Sequence, residues 1–281
     1  MTDKIPCRLC GSPSKLSFNK KILSKYEIGY YLCENCGSLQ TEEPYWLDEA
    51  YNPLNERFDT GQLVRIFYNA VFLKAILTHL NLLNCRLIDY GCGSGLLTRF
   101  MRDIGVDAWG FDSYSAPRLS IGFHTSTLEG ATVINLCEVA EHFDSPIKYF
   151  DQIFSCNPDL LIMQTNLLET VNENWDYLAV DHGQHIFFYS PKSIEHLAKR
   201  YNMLATFLNG FIVFFRPIFF ERLFIQNSPI LNSEFQGTLN NSVPNFLSQM
   251  LNNGYKYAIQ DNLMLKNLEA KNQLAISNFP G

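Results

Sequence analysis

From residue 85 to residue 215, short apolar runs alternate with amphipathic segments, and this alternation restricts the chain more than any other feature. "CRLIDYG" (85–91), "DAWGFD" (107–112), the start of "TVINLCEVAEHF" (132–143) and "DLLIMQT" (159–165) read as strands. "GLLTRFMRDIG" (95–105), "PIKYFDQIFSC" (146–156) and "SPKSIEHLAKRYN" (190–202) read as helices. Ser190 suits the N-cap of the last one and Pro191 its first helical position. Strands that alternate with helices are joined by crossovers, and crossovers produce a parallel sheet covered on both faces. "MLATFLNGFIVFF" (203–215) breaks the pattern: two runs meet at Asn209–Gly210, which predicts an antiparallel pair. The apolar stretch 204–225 is interrupted by Asn209, Gly210, Arg216, Pro217, Glu221 and Arg222, so it reads as buried strands and not as a membrane-spanning helix.

"IDYGCGSG" (88–95) joins the first strand to the first helix of this series. Asp89 closes the strand, and Gly91, Gly93 and Gly95 follow at alternate positions. In an open parallel sheet, ligands bind beyond the carboxyl ends of the strands. Glycines there let the backbone pass close beneath a ligand, and the next helix offers unpaired amides to negative charge. A dinucleotide fingerprint needs a third glycine where this chain has Leu96. An acid just before the loop also disfavours pyrophosphate and suits a ligand with an ammonium group. S-adenosylmethionine has such a group, and its carboxylate can face the loop amides. Asp112, at the end of the second strand, suits a pair of ribose hydroxyls.

The N-terminus carries a separate signal. Cys7 and Cys10 form one Cys-x-x-Cys turn and Cys33 and Cys36 another, each followed by a glycine, Gly11 or Gly37. Four thiolates in two such turns make the closed tetrahedral set that structural zinc prefers. Segment 12–32 predicts a hairpin between the two knuckles. So small a unit has little core of its own, and metal binding supplies its folding energy. The chain has eight cysteines, and its first thirty residues lack an apolar signal-peptide core, which together point to the reducing cytoplasm.

The expected fold is therefore α/β: a Rossmann-like doubly wound, mostly parallel sheet with an antiparallel C-terminal strand pair, plus a small N-terminal zinc ribbon and a C-terminal helical appendage. The expected divisions are a zinc-ribbon unit (1–45), a linker and helix (46–84), a ligand-binding domain (85–216) and the appendage (217–281). A net charge of −6 argues against a broad nucleic-acid-binding surface.

Several of these stretches carry a likeness. "LIDYGCGSGLLTRFM", "GFDSYS" and "VINLCEVAEHFDSP" resemble motifs I, II and IV of class I S-adenosylmethionine-dependent methyltransferases. "HIFFYSPKSIEHLAKRYNM" is similar to the His-x-x-Phe-Phe-Ser-Pro stretch of a subset of them, with Tyr189 standing between Phe188 and Ser190. The resemblance implies that Asp89, Gly91, Gly93 and Gly95 cradle the methionine part of the cofactor and that Asp112 holds its ribose. Cys92 and Ser113 stand beside them in the cofactor set, and Glu138 lines the cleft. The gap between Asp112 and the next strand is short, so the third strand of such folds is missing from the pattern. "STLEGA" (126–131) is its candidate remnant, with Glu129 the candidate adenine contact.

The implied reaction moves a methyl group from S-adenosylmethionine to a small-molecule acceptor: a sugar, a sugar nucleotide or a biosynthetic intermediate. Much of the catalysis can come from positioning, and a base helps where the acceptor must lose a proton. His185, in "DHGQHIFF", is the first choice for that base, with His142 and Glu141 next. His182 is a further loop histidine, while His79, His124 and His196 read as structural. Trp175 and Tyr177 either floor a pocket or simply pack. The alternative is an idle methyltransferase fold that recruits a partner through its zinc ribbon. No nucleic acid and no transmembrane segment are expected, and neither the oligomeric state nor the methylated atom is written in the sequence.

Overall fold

The structure, a computed structural model, describes residues 4–51, 61–225 and 230–270. Parts of the expected linker (52–60) and of the C-terminal appendage (226–229 and 271–281) lie outside the described residues. In chain order the strands are β1 (Lys4–Pro6), β2 (Pro13–Ile22), β3 (Tyr26–Cys33), β4 (Leu39–Thr41), β5 (Arg86–Tyr90), β6 (Asp107–Phe111), β7 (Val133–Cys137), β8 (Leu160–Gln164), β9 (Phe187–Phe188), β10 (Leu204–Leu208) and β11 (Phe211–Phe215). The α-helices are α1 (Leu47–Ala50), α2 (Gln62–His79), α3 (Leu96–Asp103), α4 (Pro146–Ser155), α5 (Pro191–Arg200), α6 (Phe220–Leu223), α7 (Ser233–Asn240) and α8 (Ser242–Ala270).

The chain divides into two units, one formed by Met1–Gln62, Leu136–Ser155 and Ile162–Phe215, the other by Leu63–Asn135, Cys156–Leu161 and Arg216–Gly281. A six-stranded sheet has the order β10-β11-β8-β7-β5-β6. β5 and β6 pair in parallel, from Arg86 opposite Asp107 to Tyr90 opposite Phe111. β10 and β11 are antiparallel, and both residues of their turn, Asn209 and Gly210, have positive φ (50° and 84°) as a tight hairpin requires. The mixed sheet expected from the sequence is thus present. One expectation is corrected: beyond β11 the apolar stretch turns helical, at Pro217–Phe219 and then α6. Pro217 has no N–H to give to a strand ladder, and its fixed φ suits a helix start.

In the first unit a second sheet has the order β1-β2-β3-β4-β9. β2 and β3 form the predicted hairpin, with a bulge between Leu16 and Phe18. β4 pairs with β9, Leu39 facing Phe188 and Gln40 facing Phe187, so the ribbon sheet is closed by residues nearly 150 positions further along the chain. Ile28, Tyr30, Leu39 and Trp46 share one buried apolar cluster with Leu168, Leu178, Ile186 and Phe188. The ribbon therefore has a core after all, lent to it by the loop that precedes β9.

In the second unit the third strand is reduced to a single parallel bridge, Gly110 to His124. "STLEGA" is loop and turn, and Glu129 is exposed there. The remnant thus lies a few residues earlier than the sequence pattern suggests. The C-terminal region is helical as expected. α8 lies along α3, where Asp261 takes hydrogen bonds from Arg102 (2.7 and 2.8 Å) and Arg99 (2.7 Å), and Gln249 donates to the Ile104 carbonyl (2.7 Å). No helix among the described residues is long and apolar enough to cross a membrane.

Candidate functional site

In the second unit, β5 ends at Tyr90 and the chain enters the glycine loop with φ of 73° at Gly91, 52° at Gly93 and 80° at Gly95. These are left-handed values that other residues take only at a cost. The Gly91 amide donates to the Phe111 carbonyl (2.7 Å), and the Gly93 amide donates to Asp112 Oδ2 (2.9 Å). The amides of Tyr114 and Ser115 donate to Asp112 Oδ1, each at 2.8 Å. Asp112 thus ties the loop to the end of β6 and keeps acceptor capacity for further hydroxyls, since a carboxylate offers about four lone-pair sites. A Cβ on Gly95 would collide with Ser120, whereas one on Gly93 would meet nothing within 4 Å. Packing accounts for the first glycine; the space over the second is open.

Asp89 is 3% exposed. Its Oδ2 accepts from Thr98 Oγ1 (3.1 Å) and its Oδ1 from Asn135 Nδ2 (3.3 Å). Burial pushes its carboxyl up to about 7, against the pull of those two donors, and nearby Asp112 adds to the rise. Such a group gains from a neighbouring cation. Cys92 has its thiol pushed up by burial first and then by Asp89 and Asp112, which disfavours the reactive thiolate. Its sulfur fills the space beside Gly110, where a Cβ would come within 2.6 Å of it. Ser113 is exposed in the loop after β6. Glycine loop, Asp112 and buried Asp89 form a donor and acceptor set whose chemistry fits S-adenosylmethionine, with acids available to an amine and to hydroxyls.

The first unit holds an acid–histidine cluster. β7 ends at Cys137, and Glu138 follows with a left-handed φ of 53°, its amide donating to the Gln164 carbonyl (2.9 Å). A short 3-10 turn, Ala140–His142, then presents Glu141 and His142. Glu141 is fully buried. The Tyr177 hydroxyl donates to Glu141 Oε1 (2.6 Å) and lies 2.9 Å from Glu138 Oε2 and 3.0 Å from Thr165 Oγ1. His185 Nδ1 is 2.7 Å from the Tyr177 carbonyl. A carbonyl only accepts, so that nitrogen carries a proton. Nε2 lies 4.0 Å from Glu141 Oε1, and the His142 and His185 rings are 5.2 Å apart. Burial pushes the Glu141 carboxyl up. Burial first, then His185 and His182, push His142 down to about 3, leaving a neutral imidazole.

The cluster gathers Glu141, His142 and His185 and leaves His182 out of the convergent set. It also assigns Tyr177 a part that spacing could not suggest, because its hydroxyl and its carbonyl reach two different members of the group. Trp175 packs against Phe188, at 5.6 Å between ring centroids. His79 bonds the Arg222 carbonyl (2.6 Å) and stacks on Phe235, as expected of a structural histidine.

The four knuckle sulfurs also converge. Cys7 Sγ is 3.6 Å from Cys36 Sγ, Cys10 Sγ is 3.5 Å from Cys33 Sγ, and all four lie within 4.8 Å of one another. Four sulfurs at about 2.3 Å from a tetrahedral zinc stand about 3.8 Å apart, so the donor set fits that ion. Gly11 and Gly37, at φ of 74° and 72°, return their amides to the carbonyls of Cys7 and Cys33. From between the first two cysteines, Arg8 donates to the Ile186 carbonyl (2.5 Å), one residue from His185.

No curated protein matches the chain. Among solved structures it is similar to the plantazolicin methyltransferase BpumL in complex with a monoazolic desmethylPZN analog and SAH: 15% identity over 75% of this chain and 88% of that one, TM-score 0.47. It is similar also to magnesium protoporphyrin IX methyltransferase (ChlM) from Synechocystis PCC 6803: 12% identity, 60% of this chain and 92% of that one, TM-score 0.42. The methyltransferase domain of bacterial CtHen1-C is 19% identical over 53% of this chain and 98% of that one, with a TM-score of 0.39. Likenesses this distant add no weight of their own. The family match does: residues 54–203, more than half of the chain, fit the model described as "Methyltransferase domain". With the glycine loop and its two acids inside that span, the chain belongs to the methyltransferase-domain family and is a class I S-adenosylmethionine-dependent methyltransferase.

Proposed function

We propose that the enzyme methylates a small-molecule acceptor bearing a proton that must be lost, such as a sugar, a sugar nucleotide or a biosynthetic intermediate. Asp89, Gly91, Cys92, Gly93 and Gly95 would hold the methionine part of the cofactor, Asp112 and Ser113 its ribose, and Glu138 its neighbourhood. When bound, S-adenosylmethionine supplies an electrophilic methyl group on a positive sulfur. The protein's part is then to orient the two reactants and to receive the acceptor's proton. His185, His142 and Glu141 would do the latter. Cys7, Cys10, Cys33 and Cys36 would carry a structural zinc, its closed thiolate shell leaving no position for a substrate. On this reading residues 1–45 act as a zinc ribbon, 46–84 as linker and helix, 85–216 as the catalytic domain and 217–281 as a helical support. A small-molecule acceptor is favoured over nucleic acid by the net charge of −6.

One observation carries the reading: the Asp112 carboxylate anchors the Gly93 amide while the space over Gly93 stays open. The test is calorimetric titration with S-adenosylhomocysteine. The wild-type chain is expected to bind it in the micromolar range and Asp112→Ala at least tenfold more weakly. Equal affinity for both proteins would remove the assignment.

A further inference from the structure

We propose that Glu141, His142 and His185 bind a divalent first-row metal ion, at a site separate from the four-cysteine knuckles. One donor atom from each residue lies within 4.8 Å of the others. Two imidazoles and one carboxylate form a set that suits ions such as manganese(II), iron(II) or zinc(II) and leaves coordination positions open.

Two features beyond proximity point to a cation. Glu141 is fully buried, and although Tyr177 donates to its Oε1, its Oε2 has no hydrogen-bond partner among the described residues. An ionised oxygen in that condition is costly, and a bound cation would satisfy it. His185, for its part, shows the arrangement found behind metal-bound imidazoles. Its Nδ1 donates to a backbone carbonyl, that of Tyr177 at 2.7 Å, which leaves Nε2, 4.0 Å from Glu141 Oε1, as the ring's ligand atom. The Tyr177 hydroxyl lies between the carboxylates of Glu138 and Glu141 and can donate its single proton to one of them at a time. Glu138 thus stands next to the cluster as a second oxygen donor.

The inference deepens the proposed function and rests on it, because it names how that cluster would promote loss of the acceptor's proton, as ligands of a cation and not as the base itself. A hydroxyl bound to the cation gives up its proton more readily than a free one. The acceptor's O–H bond then breaks with the proton passing to water. The oxygen forms its bond to the methyl carbon as the carbon–sulfur bond breaks, and the cofactor leaves as a neutral thioether. The acceptor class narrows accordingly to hydroxyl compounds.

Manganese(II) is the probe, since thiolates hold it poorly and electron spin resonance reads it directly. Titrated into the full-length, zinc-loaded chain, one manganese ion per chain is expected, with spin-echo modulation from two imidazole nitrogens. Glu141→Gln, which keeps the side chain's shape, and His185→Asn should each lower the affinity at least tenfold while circular dichroism stays unchanged. Absence of nitrogen coupling in the wild type would overturn the proposal without recourse to any variant. So would methyl transfer at full rate in protein freed of every divalent ion outside the cysteine knuckles, a result that leaves the methyltransferase reading intact. Manganese bound with nitrogen coupling, but no S-adenosylhomocysteine binding, would instead uphold the metal site and sink the proposed function.

Discussion

Asp89 and Asp112 lie on either side of the same loop and are held differently. Asp112 takes three backbone amides and is partly open to water. Asp89 is buried against Thr98 and Asn135, and burial lifts its carboxyl to about 7. Between about pH 4 and that value the folded chain binds a proton there that the unfolded chain has lost. Stability from this group therefore falls as pH rises through the window. Cofactor binding should run the other way. An ammonium group favours the ionised carboxylate, so affinity for S-adenosylhomocysteine should weaken as pH drops below about 7, approaching tenfold per unit. Near neutral pH, binding should release a proton, visible as a buffer-dependent enthalpy. Asp89→Asn should bind weakly and show neither dependence. A wild-type affinity that stays flat between pH 6 and 8 would mean that Asp89 shapes the strand and never meets the cofactor's charge.

At the scale of elements, Ser190 joins two things that the sequence shows separately. It caps α5, exchanging side-chain and backbone hydrogen bonds with Ser193, and its hydroxyl also donates to the Cys36 carbonyl at 2.8 Å. Gly37 sits so close that a Cβ there would come within 2.7 Å of the same hydroxyl. Ser190→Ala should cost about 1 kcal/mol for the lost cap, and it should also speed release of zinc to a chelator, because a knuckle carbonyl loses its partner. A chromogenic chelator assay compares the rates; an unchanged rate with a lowered melting temperature would confine the effect to the helix. The cap was legible, since Ser-Pro before an amphipathic run has a local meaning. Its second bond was not, since nothing in "SPKS" refers to a cysteine 154 positions earlier. The same contrast recurs elsewhere. Strands, helices, the hairpin at Asn209–Gly210 and both knuckles follow from local patterns. The β4–β9 pairing, the single bridge at His124 and the placing of Tyr177 depend on long-range packing, which leaves no periodic trace. The candidate site divides in the same way: its acids and histidines could be named from motifs, but the convergence of three donors and the orphaned oxygen of Glu141 needed coordinates.

At the scale of the whole molecule, the C-terminal helix is where composition says least and charge geometry says most. α8 is long, and Leu251 and Tyr255 are largely exposed on it, so apolar burial alone does not hold it. Asp261 instead receives the guanidinium of Arg102 through both of its oxygens and that of Arg99 through one, and Arg102 reaches on to Asp107 of β6 (3.2 Å). Burial opposes its charge, yet hydrogen bonds from Arg102 and then Arg99 hold the Asp261 carboxyl below its usual range. A carboxyl depressed in the folded state stabilises above its unfolded pKa of about 4 and loses that contribution as pH falls below it. Asp261→Asn keeps the shape and removes the charge, leaving two partly buried guanidiniums short of an acceptor. A loss of about 1–3 kcal/mol is expected near neutral pH, and the wild-type and variant curves should converge as the pH is lowered toward 3. Urea unfolding at pH 7 and at pH 3 checks both points. Equal stability at pH 7 would mean that α8 is held by its packing on Gly105 and Gly122, where Tyr257 and Leu265 close over the glycines, and that the ion pairs contribute little.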